Sequence, residues 1–187
     1  MGLMDEIRVI LGDNFVTESM LRRQRGWLSL RKKYPHLGEI SLFFYPLWIL
    51  FIEGWADRPP FKPKRMEFVG YVDPFSYDSG LLDVIPKSKI IRVKPGFAVL
   101  PTHSNGQEEF LSRAVEKILT VDIRRLFALK MPRLGIVSKE LMFLPCWKGT
   151  VNKAEGESLI VINCLNGRVE HRITQVLSSG AISLQSG

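Results

Sequence analysis

Cysteine is scarce: only Cys146 and Cys164 occur in 187 residues. A chain of this length can bury enough apolar surface to hold together without a disulfide framework. Two thiols with no closely spaced histidine cannot form a four-ligand zinc site. No Walker loop, Rossmann glycine fingerprint, zinc-protease helix or G-x-S-x-G elbow is present. Those absences remove the commonest nucleotide, metalloprotease and hydrolase chemistries without excluding an unfamiliar enzyme. A long apolar run is also missing. The longest, Ile40 to Ile52, contains Pro46 and falls short of the roughly 20 residues of a membrane-spanning helix. The opening MGLMDEIRVILGD carries acids where a signal peptide needs basic residues. A reducing, cytoplasmic setting is expected, with no transmembrane segment, no metal and no cofactor.

What is present is globular in kind. Hydrophobic residues make up 45% and charged residues 24% of the chain, which places it among folded rather than disordered proteins. Net charge is +7 and the isoelectric point about 9.6. Nucleic acid, anionic lipid and acidic protein all stay open as partners, and charge alone does not choose among them.

Apolar spacing and turn residues suggest the elements. Leu3, Ile7, Ile10 and Leu11 recur at helical spacing up to Gly12, and a second helix opens at Thr17 and stops at Pro35. Strands are expected over 40–53, 65–73 and 80–93, the last interrupted at Pro86. Residues 54–64 (GWADRPPFKPK) read as a proline-rich loop. Ser104 to Gln107 has capping-box spacing and opens a helix running to about Lys130. Strands over 137–152, 157–164 and 168–173 complete the set. The tail 178–187 is small, polar and expected to be disordered.

Four short blocks recur in the same order. Lys33-Tyr34-Pro35-His36-Leu37-Gly38 matches Lys130-Met131-Pro132-Arg133-Leu134-Gly135 at four of six positions. Tyr45-Pro46-Leu47-Trp48 answers Leu144-Pro145-Cys146-Trp147, and Val72-Asp73 answers Ile162-Asn163. Gly80-Leu81-Leu82-Asp83 answers Gly167-Arg168-Val169-Glu170. Order-preserving self-similarity is the signature of an internal repeat. The fold class expected is therefore α+β: two related helix-plus-three-stranded antiparallel sheet units packed as a pseudo-twofold pair. Residues 1–100 would form the first repeat with its N-terminal helices, and residues 101–177 the second. The strand, Asp or Asn, glycine turn and acidic strand start also resemble the repeat hairpin of small bacterial PepSY-type domains. That resemblance covers about 30 residues per half, and the first half departs from it by its longer turn, residues 74–79. It implies a unit that binds or inhibits a partner rather than one that catalyses.

The residues that bear on function are few. Trp55 and Phe61 are interleaved with Arg58, Lys62, Lys64 and Arg65, the mixture that grips phosphates and stacks on bases, or fits an anionic membrane face or acidic protein. A second basic cluster, from Arg22 to Lys33, spreads round a helix as its solvated face. His103 precedes the capped helix, where an anion can bind. Asp73, Asp78 and Asp83 share one turn region, where turn chemistry competes with acid–base work. Trp48 and Trp147 are core residues or walls of a shared pocket. Pro46 and Pro145 should mark bulges or edge positions. Cys146 and Cys164 should be buried thiols, on one face or on opposite faces according to loop length.

These features point first to a non-enzymatic binding or regulatory module. Its ligand or partner protein would sit in the groove between the repeats or on the 54–64 segment, with Trp55, Arg58, Phe61, Lys62, Lys64, Arg65 and His103 as contacts. An acidic protein or nucleic acid is the partner considered. Nucleic-acid binding is the alternative, and an enzyme using His103, the Asp73–Asp83 turn or Cys146 the second alternative.

Overall fold

The computed structural model describes residues 5–11, 32, 37–58, 60–76, 78–93, 107–127, 132–153 and 156–179, and among them lie seven strands and two α-helices, the first followed by a π turn and a short 3-10 turn. The strands are β1 (Asp5–Leu11), β2 (Leu37–Arg58), β3 (Phe61–Val72), β4 (Ser79–Leu82), β5 (Lys87–Val93), β6 (Arg133–Lys153) and β7 (Gly156–Asn163). The helices are α1 (Gln107–Lys117) and α2 (His171–Ser178). The strands form one mixed sheet in the order β4-β3-β2-β6-β1-β5, with β7 also paired to β6. This overturns the expectation of two helix-plus-three-strand units. Strands β2 and β6, of 22 and 21 residues, outgrow any three-stranded motif and pair with each other, so both hairpins belong to one sheet. The groove drawn between two repeats goes with that architecture.

The chain gathers into two compact units, each discontinuous in sequence. One comprises Met1–Pro46, Pro86–Leu100 and Phe143–Gly187; the other comprises Leu47–Ile85 and Pro101–Met142.

In the first unit, residues 5–11 form a strand where helical spacing predicts a helix. Ile7 and Val9 are buried while Glu6 and Arg8 are exposed, which is the alternation of a half-buried strand. An antiparallel ladder with β5, from Asp5↔Val93 to Leu11↔Lys87, supplies backbone partners that local spacing cannot reveal. The helix expected from Thr17 lies outside the described residues apart from Lys32. Strand β7 pairs with β6 from Cys146↔Asn163 to Lys153↔Gly156. Trp147, Val151, Ile160, Ile162 and Cys164 pack together there, with Leu42 and Val169 against them.

Residues 168–173, expected as a strand, contribute one bridge, Ile162↔Val169, and then enter α2. The reason lies in how α2 meets β7. Val161 donates its N–H to the Thr174 hydroxyl at 3.2 Å, and its carbonyl accepts from Glu170 N at 2.9 Å. The same hydroxyl donates to the Glu170 carbonyl at 2.7 Å. Ile173 is buried. A helix turn thus satisfies backbone groups that a further strand would otherwise have paired.

In the second unit, β2 and β3 pair from Trp48↔Val72 to Arg58↔Phe61, and β4 extends the sheet from Val69↔Leu82 to Val72↔Ser79. Leu50, Ile52 and Val72 face Ala114, Ile118 and Ile123, with Trp48, Phe68 and Phe127 packed against them. Phe68 and Phe127 meet edge to face at 6.3 Å. Helix α1, expected to run to about Lys130, ends at Lys117 and widens into a π turn, Ile118–Asp122, closed by Ile123 N donating to Ile118 O at 2.9 Å. The wider turn brings residues five apart to one side, so Ile118 and Ile123 both reach the sheet. A Cβ on Gly70 would lie 3.1 Å from Ile118 Cδ1, so the absence of a side chain at Gly70 lets the turn approach.

The Thr174 hydroxyl gives a direct test of the α2–β7 junction. Thr174→Val keeps the shape and leaves the Val161 N–H without its acceptor. It should lower unfolding free energy by about 1–3 kcal/mol in denaturant titration. Thr174→Ser should retain most of the stability.

Candidate functional site

Residues 54–58 and 60–64, within the segment 54–64 expected as a loop, form an antiparallel arm. Strand β2 continues to Arg58 and β3 begins at Phe61. The prolines that suggest a loop fit the hairpin for local reasons. Pro60 lies in the turn, and Pro63 falls where the register shifts between Ala56 and Arg58. At such an irregularity a missing N–H removes no ladder bond.

The register decides which side chains meet. Trp55 lies opposite Arg65, Glu53 opposite Glu67, and Ala56 opposite Lys64. Directly opposed residues share a face and alternate residues switch faces. Trp55, Arg65, Glu53 and Glu67 therefore occupy one face, and Lys64 the other. Trp55 is 43% exposed and Phe61 73%. Lys62, Lys64 and Arg65 are exposed as well. Arg65 forms ion pairs with Glu53 and, at 3.5 Å, with Glu67. Such exposed pairs contribute about 0–1 kcal/mol each, so they orient Arg65 more than they stabilise the arm. Among the described residues, neither Lys62 nor Lys64 has a carboxylate partner.

The base of the arm is held by the start of β6. Asp57 pairs with Arg133 at 3.3 Å. A Cβ on Gly54 would stand 2.9 Å from Leu134 Cδ2 and 3.3 Å from Phe68 Cε2, so only glycine leaves room for this approach without a shift. The structure thus gathers Trp55, Arg58, Phe61, Lys62, Lys64 and Arg65 onto one arm. His103 lies outside the described residues. Sequence reasoning misses the contributions of Glu53, Glu67 and Asp57. A hairpin register drawn through Pro59 and Pro60 would have exposed them.

The other candidates are occupied by structure. The Asp73 carboxylate is buried and accepts from Phe75 N at 2.9 Å and Ser76 N at 3.1 Å, while Tyr71 donates to Asp78 Oδ2 at 3.0 Å. Asn163 makes the corresponding contact, its Oδ1 accepting from Leu165 N at 2.8 Å. These are side-chain-closed turns. Gly167 takes the left-handed conformation, φ 68°, as expected of a turn glycine. Gly80 does not: it lies within β4 opposite Tyr71. Trp48 packs on the α1 cluster, and Trp147 in the β6–β7 cluster, where its Nε1–H has no acceptor among the described residues. Pro46 and Pro145 sit just beyond the last pairs of their hairpins, Trp48↔Val72 and Cys146↔Asn163.

Both cysteines are free and buried. Cys146 opposes Asn163, one residue short of Cys164, so the thiols belong to opposite faces, in keeping with the two residues between Lys153 and Gly156. Burial raises the Cys146 thiol well above its ordinary value, and the charges of Cys164 and Glu170 add to the effect. Burial pushes Cys164 from 9.0 up to about 12. A nucleophile needs the thiolate, which both sites disfavour. Among the described residues, no three His, Cys, Asp or Glu side chains gather to hold a metal ion. No helix there is long and apolar enough to cross a membrane. In comparisons with protein-family models, curated proteins and solved structures, nothing matches this chain.

The thiols carry a pH signature. The native state holds both protons above pH 9, where an unfolded thiol loses its own, so the stability they contribute is complete below pH 9. It should be lost as pH rises above 9, for Cys164 toward about 12, at up to ~1.4 kcal/mol per pH unit for each thiol. Denaturant unfolding across this window should show the decline, and Cys146→Ala/Cys164→Ala should flatten it.

Proposed function

We propose that this protein is a non-enzymatic binding module that presents the β2–β3 arm to an anionic partner. The observation that carries this reading is the arm's tip. An aromatic ring at 73% exposure stands beside Lys62 and Lys64, which have no carboxylate partner among the described residues. Exposing a phenyl ring forfeits roughly 1.5–3 kcal/mol of burial, so its place among cations suits a surface that is covered when occupied. The arm is also prepared for contact. Its backbone is laddered to the tip and Gly54 seats its base on Leu134, so little chain entropy remains to be lost on binding.

The catalytic alternative has weaker chemical support. The thiols are held protonated, and the Asp73 carboxylate and Tyr71–Asp78 pair are spent on their own turn. Anion binding is tested by retention of the whole chain on immobilised poly-glutamate, single-stranded oligonucleotide and phosphatidylserine bilayer. The wild type should be retained on at least one. The variant Phe61→Ala/Lys62→Glu/Lys64→Glu should elute early from that surface while keeping the wild-type circular dichroism spectrum. Equal retention of the two chains on every surface, or no retention of the wild type, removes the reading.

A further inference from the structure

Charge on the β2–β3 arm is graded along its axis. From the tip inward come Pro60, then Phe61 opposite Arg58, then Lys62 and Lys64, then Trp55 opposite Arg65, and last Glu53 opposite Glu67. No carboxylate lies between Asp57 and Glu67, and Asp57 is engaged by Arg133 at 3.3 Å. The unit that carries the arm is balanced overall, with eleven basic and eleven acidic residues. The positive tip is therefore sorted charge and not a share of a general excess.

We infer that the arm docks end-on to an anionic lipid bilayer, Phe61 entering the headgroup layer and Lys62 and Lys64 meeting the lipid phosphates. The inference rests on the reading of the arm as the contact surface, and it names the partner.

Distance favours a flat surface met by the tip. Glu53 is five residues behind Arg58, so the acidic pair stands on the order of 15 Å back at the rise of a strand. The Debye length at physiological salt is about 8 Å. A planar anionic surface at the tip thus attracts the cations and is screened from Glu53 and Glu67. A nucleic-acid strand stacked along Trp55 would instead share its face with both carboxylates, and its phosphates would be repelled. Exposure points the same way. Phe61, at 73%, is more exposed than Trp55, at 43%. An apolar residue at the leading end with a basic collar behind it suits insertion, and an indole a few residues further back suits the membrane–water interface. One ring and a few cations give reversible binding. Each cation near an anionic leaflet contributes about five-fold in affinity.

The test is cosedimentation of the full chain with vesicles of phosphatidylcholine, with and without phosphatidylserine. Binding should require phosphatidylserine and weaken with salt. Lys62→Gln/Lys64→Gln should weaken it about thirty-fold and Phe61→Ala about ten-fold. All three side chains are exposed, so thermal unfolding should be unchanged. An environment-sensitive fluorophore on Phe61→Cys should shift to the blue on vesicle binding, and one on Glu67→Cys should not. The native thiols are buried and should not compete for label. Absence of binding to phosphatidylserine vesicles, binding unaltered in both variants, or an equal shift at the two labelled positions overturns the bilayer inference. If oligonucleotide or poly-glutamate retention depends on the tip while vesicles are ignored, the bilayer inference fails and the arm remains a contact surface. If the variants match the wild type on every anion, both readings fail.

Discussion

The register of β2 against β3 is the constraint on which the second unit depends. Side chains alternate along a strand, so a slip of one residue would exchange its faces. In the observed register Leu50 and Ile52 meet α1 and the π turn, while Glu53 and Trp55 face away. The slipped register would carry the Glu53 carboxylate into an apolar cluster, where an unpaired charge is strongly disfavoured. Two glycines lock the choice. Gly54 admits Leu134 and Gly70 admits Ile118, and each would lose its close neighbour if it moved to the other face. The packing that secures the base of the hairpin therefore also fixes which residues stand at its tip.

Much of the sheet was legible because burial and pattern agree there. The apolar run from Ile40 to Ile52 is rich in residues that suit a strand, and β2 contains all of it. The Pro86 interruption falls between β4 and β5. Reading failed where a distant partner decides. The spacing of Ile7, Ile10 and Leu11 fits a helix, while that of Ile7, Val9 and Leu11 fits a strand, and only the ladder to β5 breaks the tie. Residues 168–173 have the composition of a strand, yet the Thr174 hydroxyl and Glu170 N–H take the outward groups of Val161. At the candidate site the residue types were visible and their arrangement was not. Three prolines near the tip masked a ladder that tolerates them.

The recurring blocks show what self-similarity can and cannot report. Trp48 opposes Val72, and Trp147 opposes Ile162. Asp73 N donates to Asp78 O, and Asn163 N to Arg168 O, both at 2.8 Å. Those likenesses belong to hairpin ends and the turns beyond them, and they describe local chemistry. Topology is set elsewhere, by the pairing of β2 with β6 and by the element that each turn leads into. After Asp73 a real strand pairs with β3, and after Asn163 a single bridge gives way to a helix. Two segments that close their turns alike can thus enter different architectures.

The outer edge of the arm is also poorly suited to strand addition. Among the described residues, β4 pairs with β3 only from Val69 to Val72, leaving the edge of residues 61–68 unpaired. An open edge invites another strand, and natural sheets blunt such edges with lysine and proline. Lys62, Pro63 and Lys64 occupy this edge at its outermost point, where Pro63 has no N–H to offer. The charges that would repel an incoming basic edge, such as a second copy of this arm, are those that attract an anion. One short run of residues therefore discourages self-association through the backbone while leaving Phe61 and its neighbouring cations free to meet a surface of opposite sign.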